Sequence, residues 1–225
     1  MMKFKDLDMS NWWEFKEMIL QSEQFHPKPI MTEGEEYIMI LTAGNIVAKV
    51  ALADSRYIGN AIGFCLSPQD TKEYGLGSIP ENSKTIYLLN FVIDVPYQGR
   101  GYGYQLMQDF IKTAKMKGYE NLVGHFRPNG SLHLIKKFGG CEKIMVKNWE
   151  NTGEDYVLCH LDLRSASMPD SAQEALLQKE AIVLAPASHE IGVIQSLQSP
   201  LHYNLQPEAE HPLEKIQIPV SVSGH

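Results

Sequence analysis

Cysteine is scarce in this chain: Cys65, Cys141 and Cys159 are odd in number, widely spaced and form no CxxC pair. Neither a disulfide framework nor a zinc knuckle is indicated, so buried free thiols and no metal are expected. No stretch reaches the roughly 18 uncharged apolar residues of a membrane-spanning helix. The opening MMKFKDLDMSNWW holds no unbroken apolar segment like that of a secretory signal. The expectation is a soluble, cytoplasmic protein with no membrane partner. Basic stripes are missing beyond short pairs such as Lys136-Lys137, which argues against nucleic acid as a partner. No internal repeat recurs at a period of 20 to 50 residues.

What the chain does have is a core. Hydrophobic residues make up 44% of 225, enough for one large domain or a domain with an appendage. The net charge of −7 is unevenly placed, with 18 basic and 20 acidic side chains in residues 1–164 against 2 and 7 in residues 165–225. A folded domain over 1–164 and an acidic C-terminal extension over 165–225 are the expected units. In the extension, Asp170 and Gln173 are placed to cap a helix, and three apolar pieces follow between prolines. Sixty residues fold alone only marginally, so the extension is expected to pack on the domain or on a partner subunit of a homodimer, or to be partly disordered.

Along the domain, Asn11 and Glu14 make a capping-box-like entry to a helix ending before His26-Pro27, with Trp12-Trp13 read as core anchors. Two strands follow, Asn45–Ala53 and Tyr57–Leu66, turning at Asp54-Ser55. Ser67–Lys84 reads as a loop. The strongest strand is TIYLLNFVIDV, Thr85–Val95, apolar enough to be covered on both faces and central in the sheet. A helix then carries Leu106, Met107, Phe110, Ile111 and Ala114 on one face and stops at Gly118. A strand at Asn121–Arg127, a short helix stopped by Gly139-Gly140, and a hairpin turning at Asn151-Thr152-Gly153 complete the domain. The fold class is α/β with mixed α+β character, a mostly antiparallel mixed sheet flanked by helices.

Between the central strand and its helix stands Gln98-Gly99-Arg100-Gly101-Tyr102-Gly103. A glycine turn there leaves the first helical amides unpaired at the positive end of the helix dipole, a setting that suits a phosphate. Gly99, Gly101 and Gly103 let backbone approach the anion, and Arg100 adds a cation. The P-loop pattern GxxxxGK[ST] is absent, and Tyr104 stands where the dinucleotide fingerprint needs its third glycine.

The hexapeptide matches Q/R-x-x-G-x-G/A, the pyrophosphate turn of the Gcn5-related N-acetyltransferases (GNAT), and Asn129-Gly-Ser131 followed by Lys137-Phe-Gly139 looks like that family's second motif. The chain resembles the family over about 160 residues, from Phe4 to Leu163. The resemblance implies acetyl-CoA as acyl donor. Its pantetheine would lie along the backbone of Asn90, Phe91, Val92 and Ile93, its pyrophosphate on the amides of Gln98 to Gly103, and its thioester end near Asn129 and Ser131. For Ser131 a helix N-cap is an equal reading. An oxyanion donor is expected at a bulge of the central strand, around Phe91 or Val92.

The family transfers acetyl directly to an amine, which needs a base for the ammonium proton. His125 falls where some relatives that act on ribosomal proteins carry a glutamate, and Asp94 is a second candidate. The family's usual thiolate acid, a tyrosine, is replaced by Ile135, which leaves Tyr104 as the candidate proton donor. Trp12, Trp13, Glu33, Glu35, Glu36 and Tyr37 mark where an acceptor pocket is expected. Two readings stand: an N-acetyltransferase acting on a primary amine, either a small molecule or a protein lysine or N-terminus, and a non-catalytic acyl-CoA-binding regulatory module.

Overall fold

The structure, a computed structural model, describes residues 2–77 and 82–166. The extension expected after Arg164, with its helix at Asp170, lies outside the described residues apart from Ser165 and Ala166. Seven strands form one sheet: β1 (Met2–Asp6), β2 (Ile46–Ala53), β3 (Arg56–Cys65), β4 (Thr85–Ile93), β5 (Asn121–Phe126), β6 (Cys141–Val146) and β7 (Tyr156–Asp162), in spatial order β1-β2-β3-β4-β5-β7-β6. Every neighbouring pair is antiparallel except β4 and β5. This is the mixed, mostly antiparallel sheet that the sequence implied.

Period-two alternation sends β2 to both faces. Val47 and Ala51 join one core with Phe110, Ile111 and Ile135, while Ile46, Ala48 and Val50 join a second with Trp12, Phe15, Ile19 and Tyr37. Helix α4 (Tyr102–Met116) and α5 (Gly130–Lys137) supply the first face; α1 (Trp12–Ser22) and α2 (Gly34–Ala43) supply the second. Helix α4 begins at Gly101, whose φ of +80° favours glycine, and Gly118, at φ +85°, follows its last turn. The β2–β3 turn at Asp54-Ser55 puts both residues at positive φ, the geometry of a tight hairpin turn.

Several expectations need correction. The sequence pattern signals neither β1 nor α2, and Ser67–Lys84 holds a short helix, α3 (Pro68–Glu73), rather than loop alone. Asn11 does not cap α1: its side chain accepts from the Asp8 amide and donates to the Asp6 carbonyl. Trp12 is fully buried, but Trp13 is 65% exposed. Cys159 is buried, Cys65 half-buried and Cys141 exposed. Among the described residues no helix is long and apolar enough to cross a membrane.

Candidate active site

Strands β4 and β5 pair only at Thr85, Ile86 and Tyr87, against Asn121, Leu122 and Val123. Beyond Tyr87 they part, and β4 carries a bulge at Leu89, between the pairs Ile62–Asn90 and Gly63–Leu88. The bulge is thus two residues before the Phe91 expected from the sequence. The opening is a cleft of about 550 Å³, walled by Phe91, Val92 and Ile93 on one side and by Phe126, Asn129 and Ser131 on the other. Asn90 does not line it; its side chain is buried on the opposite face.

The glycine turn closes one end of this cleft through Gln98, Gly99 and Gly103. Gly99 and Gly101 adopt φ of +71° and +80°, which side-chain-bearing residues avoid. The amides of Gly99 to Gly103 have no backbone partner among the described residues, whereas the Gln98 amide is turned inward onto the Val95 carbonyl at 3.2 Å. The Gln98 side chain donates to the Ile93 carbonyl at 2.7 Å, fixing the end of β4. These open amides and the bare Gly103 wall fit an acyl-CoA pyrophosphate. Arg100 lies over the Tyr97 ring, its guanidinium 6.0 Å from the centroid, and like Gly101 and Tyr102 it does not line the cleft. Asn129 is the N-cap of α5: its side-chain oxygen accepts from the Ser131 amide at 3.0 Å and the Ser131 hydroxyl at 3.1 Å. The cap is therefore Asn129 and not Ser131, and both residues face the cleft.

Of the three proposed proton-transfer residues, only His125 reaches the cleft. Tyr104 stacks on Phe138 at 4.8 Å, and Asp94 begins the turn before Pro96, its carboxyl raised by burial. The His125 ring is held from two sides. Its Nδ1 lies 2.9 Å from the Tyr87 hydroxyl, and Trp149 stacks on it at 4.4 Å. Trp149 sits on a loop whose neighbours Asn148, Glu150 and Asn151 all have positive φ.

Burial pushes the His125 imidazole down to about 4. Above pH 6.5 the ring is neutral folded or unfolded and contributes no pH dependence. Between 6.5 and 4 only the unfolded chain takes up the proton, so stability falls as pH falls, by roughly 3 kcal/mol at full extent. Thermal midpoints measured from pH 7 to pH 4 should show this loss, and His125→Asn should flatten it. A curve of equal slope in that variant would assign the acid lability elsewhere.

A second cleft of about 200 Å³ shares His26, Leu89, His125 and Tyr156 with the first. Its floor is Glu23, a residue only 2% exposed. Glu23 accepts from the Tyr37 hydroxyl, the Asn90 side-chain amide and, at 3.1 Å, the Thr32 amide. The network continues behind it: Asn60 donates to Asn90 at 3.1 Å, and Tyr57 donates to Asn60 at 2.8 Å. Glu36 and Glu150 also line the second cleft, and burial, with Glu23 and Glu33 nearby, raises the Glu36 carboxyl. His26 Nε2 is buried without a partner at the junction of the two clefts, and burial lowers the pKa of this imidazole. Sequence reasoning missed Glu23 and His26. Of the residues expected around an acceptor, Glu36 alone lines the cleft, with Tyr37 behind it. No group of three or more metal-binding side chains occurs among the described residues.

Comparison with known proteins agrees with this geometry. The family model described as acetyltransferase (GNAT) family matches residues 7–139. No curated protein matches the sequence. Among solved structures the chain is similar to yncA of Salmonella typhimurium, a putative acetyltransferase described with its cofactor acetyl-CoA, at 15% identity and TM-score 0.56, covering 76% of this chain and 99% of that one. A GNAT-family acetyltransferase from Streptococcus pneumoniae aligns at 14% identity and TM-score 0.56, over 72% and 99% of the two chains. The ribosomal-protein-S18-alanine N-acetyltransferase of Escherichia coli aligns at 15% and 0.50, over 76% and 98%. At such identities these likenesses speak for the fold, and the family model spans more than half of the sequence; the chain belongs to the acetyltransferase (GNAT) family and is an N-acetyltransferase.

Proposed function

We propose that the chain moves the acetyl group of acetyl-CoA directly to a primary amine, on a small molecule or on a protein lysine or N-terminus. The observation that carries this reading is the parting of β4 and β5 beside the open amides of Gly99 to Gly103. The splayed edge of β4, along Phe91 to Ile93, offers backbone to an extended pantetheine arm, and the glycine turn offers donors to its diphosphate. The thioester end then reaches the junction where the two clefts meet.

Transfer forms the N–C bond and breaks the C–S bond; the amine gives up a proton, and the thiol leaves as thiolate. A thiol of pKa near 8.5 can depart without full protonation, which suits a site where Ile135 is buried and Tyr104 faces Phe138. The Tyr87 hydroxyl, kept protonated by burial, shares a hydrogen bond with His125 Nδ1; where Nδ1 is the acceptor, His125 presents Nε2–H as a donor. In that tautomer His125 serves as a hydrogen-bond donor and the unpartnered nitrogen of His26 takes the amine proton, whereas in the other tautomer His125 itself is the base. Asp94 and Tyr104 have no part in this scheme.

The test is free-thiol release by the full chain with acetyl-CoA and a panel of amines. Release should require an amine and fall roughly a hundredfold in His125→Ala, the usual cost of losing one preorganised donor. Tight coenzyme A binding without turnover on any amine would instead establish the non-catalytic acyl-CoA-binding module, which the buried Ile135 in place of a tyrosine favours.

A further inference from the structure

The second cleft presents an electrostatic imbalance. Three carboxylates line it, Glu23, Glu36 and Glu150, and no lysine or arginine does. Burial lowers the pKa of both its histidines. Glu23 is the telling member: it is almost fully buried, its hydrogen-bond partners are all neutral, and it has no ion pair among the described residues. A buried carboxyl group with neutral partners only is the kind of site that a ligand cation would complete. The second observation is the orphaned His26 Nε2, buried at the junction of the clefts, where it has no protein group to bond.

These two features ask for different nitrogens. An amine about to attack must be neutral and near an acceptor for its N–H, which the junction provides. That same neutral nitrogen cannot satisfy the carboxylates deeper in the second cleft. The volume of about 200 Å³ corresponds to roughly seven waters. It holds a short chain better than a folded protein segment, and Trp149, Tyr74 and Tyr87 supply rings beside which a cationic group is favoured.

Resting on the acetyl-transfer reading, we infer that the acceptor is a small dicationic amine, such as an alkyl diamine or an amino-guanidine, whose reacting nitrogen lies at His26 while its second positive group sits against Glu23, Glu36 and Glu150. Specificity then arises from the distal charge, and the chain length between the two nitrogens sets which diamines fit.

The experiment uses the full chain saturated with coenzyme A, and measures binding of 1,5-diaminopentane, pentylamine and an alanine-initiated hexapeptide by calorimetry, with thiol release from acetyl-CoA measured in parallel. The diamine should bind roughly ten- to a hundredfold more tightly than the monoamine. That ratio should shrink in Glu23→Gln and, on the exposed loop where folding is not at stake, in Glu150→Gln. Equal binding of diamine and monoamine, or preference for the peptide, overturns the inference while leaving acetyl transfer intact. Diamine binding that keeps its charge preference but releases no thiol would leave the second cleft as a dication site while overturning both the acceptor assignment and acetyl transfer to it.

Discussion

A leucine in place of Gly103 should raise the dissociation constant of coenzyme A at least about a hundredfold, or about 2.7 kcal/mol, in a protein that remains folded. Position 103 lies in the first turn of α4, where glycine is disfavoured by about 1 kcal/mol relative to alanine. Nothing in the packing demands it: an added Cβ would meet Ile93, Leu134 and Phe91 at 3.6 to 3.9 Å, ordinary contact distances. The residue nevertheless lines the larger cleft beside the unpaired amides. A methyl group is tolerated by that space, but the branched end of leucine would extend into it. Gly103→Ala is therefore the control, expected to gain about 0.5 to 1 kcal/mol of stability and to keep most of its affinity. Calorimetric titration of the three proteins decides the matter; full binding by the leucine variant would place the diphosphate elsewhere.

Gly63→Ala should cost about 3 kcal/mol of folding free energy, a drop of roughly 6 to 12 °C in the thermal midpoint for a chain of this size. Here the constraint is contact rather than dihedral angle. A Cβ on Gly63 would stand 2.6 Å from the Tyr87 carbonyl oxygen and 2.9 Å from Cζ of Phe110. Phe110 is fully buried, and Tyr87 makes the last pair between β4 and β5. Neither can retreat without opening the core or the only parallel contact of the sheet. A midpoint within 2 °C of the parent would show that the bulge at Leu89 absorbs the strain.

Local signals made the strand, glycine turn and α4 legible, because a buried apolar run, left-handed glycines and a 3.6-residue stripe each act within a few positions. Strand β1 escaped notice since a five-residue edge strand, half exposed, has little pattern to display. Helix α2 carries YIMIL, a continuous apolar run with no helical period. The larger cleft was readable from motif spacing, whereas the smaller one is assembled from the end of α1, the segment after it and the β6–β7 loop. Asn90 meets Glu23 across 67 positions of sequence, and only the antiparallel register of β3 and β4 brings their network together. In the same way His125 was visible as a residue type suited to proton transfer, but its role depends on Tyr87 and Trp149, which no spacing rule connects to it.

The brief union of β4 with β5 divides the sheet into a four-stranded half and a three-stranded half, joined among the described residues by a ladder of three residue pairs. If acetyl-CoA lies along that seam as proposed, it would take up the free edge of β4 where the ladder stops, so holding the acyl carrier and bracing the scaffold would become one event.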